Sequence, residues 1–232
     1  MYIWHVMNEK ITDDKKELKY AVACSVVLTS LPWFVQTISA VFLLQLNRFG
    51  MKPLELEGLM GVITMPFLHS DWGHLISNTP ALFLLIFGLF LFYKSDAWRM
   101  LLYMYLISGV FTWCMGRNAT HIGASGLVYA LAAFHFLSGV IKKVPQQRAF
   151  ALLVAFLYGG FIWAFFPMLY HGTSISWEGH LSGLLSGIIL AFYFRNEGPE
   201  PPINPFFDEE MEESVDEEDL ESEKSNIGCT SE

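Results

Sequence analysis

Six stretches of nearly uninterrupted apolar residues, about 21–46, 74–93, 99–116, 125–141, 149–168 and 179–194, are separated by short segments that hold most of the charges. A helix needs about 20 mostly apolar residues to cross a bilayer. Each run therefore reads as a membrane span, the third, fourth and sixth being short. The runs are continuous and not alternating, which argues against the strands of a membrane barrel. A helix also satisfies its own backbone hydrogen bonds in lipid. The expected fold class is all-α: a polytopic membrane protein with six transmembrane helices.

Basic residues set the orientation of such a bundle. If six helices alternate, Lys10, Lys15, Lys16, Lys19, Lys94, Arg99, Lys142, Lys143, Arg148 and Arg195 all fall on one side. Only Arg48, Lys52 and Arg117 fall on the other. Both termini are thus expected in the cytoplasm, with loops 47–73, 117–124 and 169–178 on the opposite face. The basic residues also serve as rulers. Counting about 1.5 Å per helical residue, Ser125, Asn78 and His180 lie roughly 25, 24 and 22 Å above Lys142, Lys94 and Arg195. The hydrocarbon core is about 30 Å thick. Three polar side chains on three helices therefore share one depth below the outer surface, as a common polar pocket would require.

Composition changes this picture only at the end of the chain. Of the 232 residues 16% are charged, below the roughly 25% of an ordinary soluble domain. Residues 197–232 hold 14 of the 23 acidic residues and one lysine, Lys224. The formal net charge of -9 thus describes this tail and not the body. An acidic run with few apolar groups cannot bury enough surface to offset its ordering entropy. The expected organisation is a cytoplasmic segment 1–20, a six-span domain 21–196 and a disordered acidic tail 197–232, a solvated end or an acidic docking segment. Asp13, Asp14 and Glu17 precede the first apolar run, unlike a signal peptide. Cys24, Cys114 and Cys229 show neither metal spacing nor a disulfide framework and read as apolar fillers or free thiols.

Polar groups inside the spans carry the candidate chemistry, because such groups are costly in a bilayer. Gly123-Ala124-Ser125-Gly126 opens the fourth span and Gly179-His180 the sixth. A serine nucleophile needs a base, commonly histidine. Donors for an oxyanion would be at hand in the first-turn amides behind Ser125, which lack intrahelical partners. Ser125 read by itself could equally cap its helix, and His180 could be a structural histidine on a carbonyl. Gly179, Gly183 and Gly187 form a stripe that lets two membrane helices touch closely, and the fourth span is the natural neighbour. His74 and Asn78 share one helix face. They suit either auxiliary oxyanion donors or an interhelical hydrogen-bonded pair. Tyr129, one turn after Ser125, could stack on His180 or pack in the core. His121 and His171 read as interfacial and His135 as structural. No His-Glu-x-x-His zinc motif, no aspartate pair within the spans and no glycine-rich phosphate loop is present.

Taken together, His69-x4-His74-x3-Asn78, Gly123-Ala124-Ser125-Gly126 with Tyr129, and Gly179-His180 with Gly183 and Gly187 resemble the rhomboid family of intramembrane serine proteases, over roughly residues 67–195. The resemblance implies a rhomboid-like bundle and a Ser-His dyad without a third acid. Ser125 would be the nucleophile and His180 the general base. His74, Asn78, Gly123 and the Ser125 amide would serve the oxyanion, with Tyr129 supporting His180. It further implies no cofactor or metal, and single-span or polytopic membrane-protein substrates met in the lipid bilayer of a bacterial inner membrane. No nucleic acid partner is expected. Many members carry a Trp-Arg pair in the first outer loop, where this chain has Met60-Gly61, so a loop that is softer or differently anchored in the membrane is expected here. A catalytically silent membrane-protein binding or chaperone protein on the same scaffold would be expected to lack the serine or the histidine. A transporter would show internal repeats and charged residues within its spans. Neither pattern is seen.

Overall fold

The structure, a computed structural model, describes residues 2–160 and 176–201, with side chains from Ile11 onward. Residues 1–199 form one compact unit and 200–232 a second, of which only the first two residues are described. The acidic tail, His171, Cys229 and the end of the fifth apolar run therefore lie outside the described residues.

Among the described residues all regular elements are helices, with one isolated bridge between Met51 and His121. Six long helices follow the six apolar runs: α1 (Tyr2–Val41), α3 (Trp72–Tyr93), α4 (Asp96–Met115), α5 (Ser125–Lys142), α6 (Pro145–Tyr158) and α7 (Trp177–Tyr193). A four-residue helix, α2 (Gly61–Thr64), lies in the loop before α3. By length and composition α1, α3 and α5 are able to cross a membrane. The sequence expectation puts the other three on the same footing, but α4 carries Asp96 and Arg99, and α7, at 17 residues, carries Glu178, His180, Ser182 and Ser186.

Helix limits also differ from the apolar runs. Charged residues do not break a helix, so α1 begins well before residue 21, and it stops at Val41, two residues before Leu43 at φ 51. Pro145 opens α6, where a missing N–H leaves no bond unmade.

Helix α5 sits at the centre, packed against α3, α4, α6 and α7. Leu85, Leu89, Phe90, Met100, Met104, Leu131 and Phe134 build the apolar core around it. Lipid tails are as apolar as leucine, so association in a membrane depends on close packing by small residues. Between α5 and α7 that packing reaches the backbone. A methyl group at Gly183 would stand 2.0 Å from the Gly126 carbonyl oxygen, and one at Gly187 2.2 Å from that of Ala130. His135 joins α5 to α3 by donating its Nε2–H to the Leu85 carbonyl, 2.9 Å away.

The loop before α3 is anchored on α4. The Leu54 N–H donates to the Trp113 carbonyl at 3.1 Å, and the Trp113 indole donates to the Glu55 carbonyl at 2.9 Å. Tyr105 donates its hydroxyl to the Ile63 carbonyl. Within Met60-Gly61, Gly61 lets the loop fold onto itself, since a Cβ there would lie 2.2 Å from the Met51 Cα.

Contacts between backbones cannot be relieved by a rotamer change. Gly183→Ala should therefore destabilise the protein by about 1–3 kcal/mol, as overpacking does. Gly159→Ala, with no atom of the described residues within 4 Å of the added methyl and a helical φ of -58 at the end of α6, should be neutral or slightly stabilising, because alanine is the better helix former. Thermal unfolding of the two variants in detergent micelles checks this ordering.

Candidate active site

The chain enters α5 through a turn that only glycine makes easily. Gly123 has φ +113, a region open chiefly to glycine. Its N–H donates to the Met65 carbonyl at 2.9 Å, and a Cβ there would lie 2.7 Å from Cε1 of His74. That N–H is thereby occupied in the ligand-free site, and Gly123 contributes the turn and the close fit to His74. Ala124 takes the cap position, leaving Ser125 as the first helical residue with no capping hydrogen bond from a side chain.

Freed from capping, the Ser125 hydroxyl meets His180. Its Oγ is 3.0 Å from His180 Nε2. His180 comes four residues after Ser176, whose side chain caps α7. The glycine contacts bring the two helices close enough for a short serine and an imidazole to touch. The Tyr129 ring stacks on His180 with centroids 4.3 Å apart and planes 19° from parallel, fixing the plane in which the imidazole presents Nε2.

On the other side of Ser125 stand the polar groups of α3 and of the turn before it. Asp71 caps α3 by accepting the His74 N–H at 2.9 Å and takes the Ser70 hydroxyl at 2.6 Å. His69 is 1% exposed. Its Nε2 is 3.3 Å from the Asn78 side-chain nitrogen and accepts the Ala124 N–H at 3.4 Å. Two donors converge on one nitrogen, so the ring is neutral with its proton on Nδ1. Burial, aided by neighbouring His74, pulls its pKa down to about 4. His74 sits edge-on to His69, with centroids 4.9 Å apart and Nδ1 3.3 Å from the Ser70 hydroxyl.

Ser125, His180 and Tyr129 are thus brought into direct contact. His74 is packed against Gly123, and Asn78 is tied to the start of α5 by way of His69. His69 had been singled out in the sequence only as part of a motif; its burial at the junction of α3 and α5 could not be read from a position in a loop. His121 is 2% exposed: its backbone pairs with Met51 and its ring bridges the Arg117 carbonyl and the Ser176 hydroxyl. The sequence reading also passed over Arg117 and Glu178, which form an ion pair at 3.1 Å. The available signal was an acidic residue two positions before His180 and a lone base in the loop leading to Ser125.

The arrangement offers a hydroxyl, a base within hydrogen-bond reach, an aromatic ring orienting that base, and a helix N-terminus beneath the hydroxyl. Comparison with known proteins extends the likeness along the chain. A rhomboid domain model matches residues 57–197. An uncharacterized protein of Mycobacterium tuberculosis is 32% identical over 189 residues, 78% of this chain and 79% of its own. One from Mycobacterium leprae is 29% identical over the same length, 75% of its own. The chloroplastic rhomboid-like protein 11 of Arabidopsis thaliana is 31% identical over 153 residues, 56% of this chain and 50% of its own. Because the matched stretch runs from the loop anchored on α4 to just beyond α7, and so contains every residue around Ser125 described above, this chain belongs to the rhomboid family.

Proposed function

We propose that this protein is an intramembrane serine endopeptidase that hydrolyses peptide bonds in or near the transmembrane helices of single-span or polytopic membrane proteins. The observation that carries this reading is the 3.0 Å contact between Ser125 Oγ and His180 Nε2. It lies within the range for a nucleophile and its base. His180 takes the Ser125 proton as Oγ attacks the scissile carbonyl, and returns it to the departing amine. Water, deprotonated by the same imidazole, then releases the acyl group. The first-turn amides of α5 face the developing oxyanion at the positive end of the helix dipole. Asn78 has a second amide hydrogen beyond the one directed at His69, and this hydrogen and His74 are the auxiliary donors.

In this reading six helices cross a bacterial inner membrane with both termini in the cytoplasm, and the site lies several ångströms below the outer face. The ten-to-three partition of basic residues supports that orientation. The segment 197–232 is a cytoplasmic appendage dispensable for the chemistry.

Purified protein in proteoliposomes, offered a panel of single-span helices, provides the central test. Ser125→Ala and His180→Ala should both abolish cleavage and labelling by a fluorophosphonate. Losing one oxyanion donor costs about 100- to 1,000-fold in rate, so Asn78→Ala and His74→Ala should slow cleavage while leaving labelling detectable. Cleavage by Ser125→Ala at the wild-type rate would end the protease reading of this site.

Two further outcomes concern the frame. Reporter fusions after Glu197 and within residues 169–178 should read opposite sides of the membrane; an external reading after Glu197 is incompatible with six spans. Truncation after Gly198 should leave proteolysis of the model substrate within about twofold of the full chain, because surface changes remote from a site are usually near neutral.

A further inference from the structure

The loop that delivers Ser125 and the helix that delivers His180 are tied together twice more, above the catalytic pair. Arg117 Nη1 donates to both carboxylate oxygens of Glu178, at 3.1 and 3.2 Å. Glu178 has a side chain only 4% exposed, while that of Arg117 is 40% exposed. The second tie is a chain of three hydrogen bonds. The Arg117 carbonyl can only accept, so His121 donates to it from Nε2 at 3.0 Å. In the neutral ring Nδ1 is then the acceptor, and it takes the Ser176 hydroxyl proton at 2.5 Å. The Ser176 oxygen in turn accepts the Gly179 N–H at 3.3 Å, capping α7 one residue before His180.

A buried ion pair adds little net stability, because desolvation offsets much of the attraction; its best-attested use is to fix register. Register is what the dyad needs. Sliding α7 by four residues, which keeps glycines at the close contacts, moves His180 about 6 Å along the axis, which takes Nε2 off Ser125. The glycine stripe allows close approach but repeats every four residues, so it does not by itself choose one register. Glu178 and Ser176, two and four residues before His180, do.

We infer that Arg117 with Glu178, and His121 with Ser176, are positioning residues that lock the first turn of α7 to the 117–124 loop and so hold His180 on Ser125. This rests on the protease reading above. The pair acts on the chemical step and not on the capture of substrate.

The test uses the full chain in proteoliposomes, with a single-span model substrate and a fluorophosphonate probe, wild type and Ser125→Ala run alongside. Glu178→Gln and Arg117→Met should each lower kcat and the labelling rate by about 10- to 100-fold, the loss expected of an ångström-scale misplacement. KM should stay within about threefold, since groups absent from the substrate contact leave ground-state binding alone. The Arg117→Met, Glu178→Gln double variant should be no slower than the slower single, because both break one link. Arg117→Lys should recover most of the rate. Wild-type kcat in folded Glu178→Gln overturns the inference, as does a loss confined to KM or an Arg117→Lys no better than Arg117→Met. If Glu178→Gln does not fold, Ser176→Ala breaks the other tie at lower risk; it should show the same loss in kcat, and full kcat there also overturns the inference. A wild type that neither labels nor cleaves removes both readings, whereas an active wild type with an unaffected Glu178→Gln removes only this one.

Discussion

Backbone contact between α5 and α7 is the constraint on which the rest depends. Gly183 lies on the Gly126 carbonyl and Gly187 on that of Ala130, with no room for a methyl group at either point. A serine side chain is short, and an imidazole can reach it at 3.0 Å only if the two helices lie nearly backbone to backbone. Ordinary helix pairs are held 8–10 Å apart by their side chains. The glycines therefore do not merely tolerate the site; they set the distance across which its two halves meet. Tyr129, on the same face of α5 one turn below Ser125, then stacks on the imidazole because that spacing leaves room for a ring lying flat against it.

Close approach leaves orientation to be settled by polar groups. A polar atom without a partner in lipid is costly, so hydroxyls within the helices turn back on their own carbonyls. Thr112 bonds the Ser108 carbonyl, and Ser182 bonds that of Glu178. The groups that reach between elements are fewer and each has a geometric consequence. His135 ties α5 to α3 through the Leu85 carbonyl. His69 ties the turn before α3 to Asn78 and to the amide just before Ser125. Arg117 and His121 tie the loop before α5 to the first turn of α7. Ser125 is thus braced from both sides, by α3 through His69 and by α7 through the ion pair and the capping serine.

The loop before α3 shows how one anchoring device can stand in for another. Where many rhomboid relatives are expected to use a Trp-Arg pair, this chain has Met60-Gly61. The anchor is supplied instead from α4, whose Trp113 both donates to and accepts from the loop backbone. Met65, at the end of that loop, accepts the N–H of Gly123, so the anchorage carries through to the turn that presents Ser125.

What could be read from the sequence was whatever depends on patterns within one segment. Apolar runs located the six long helices, because a helix in lipid must be apolar along its own length. Motif spacing singled out Ser125, His180, His74, Asn78 and Tyr129, because residues on one face of a helix recur at fixed intervals. The glycine stripe identified the face of α7 that meets a neighbour. Other features stayed hidden because they depend on two distant segments meeting. The pairing of Met51 with His121 that buries the histidine, and the bond from the Gly123 N–H to the Met65 carbonyl, both join segments far apart in the chain. Glu178 and Arg117 are 61 positions apart, and that separation says nothing of their contact. A local sequence dictates helices, caps and faces through short-range sterics and periodicity. Which donor finds which acceptor across the bundle is decided only when the helices pack, because hydrogen bonds and ion pairs require separations of about 3 Å that no pattern along a single segment encodes.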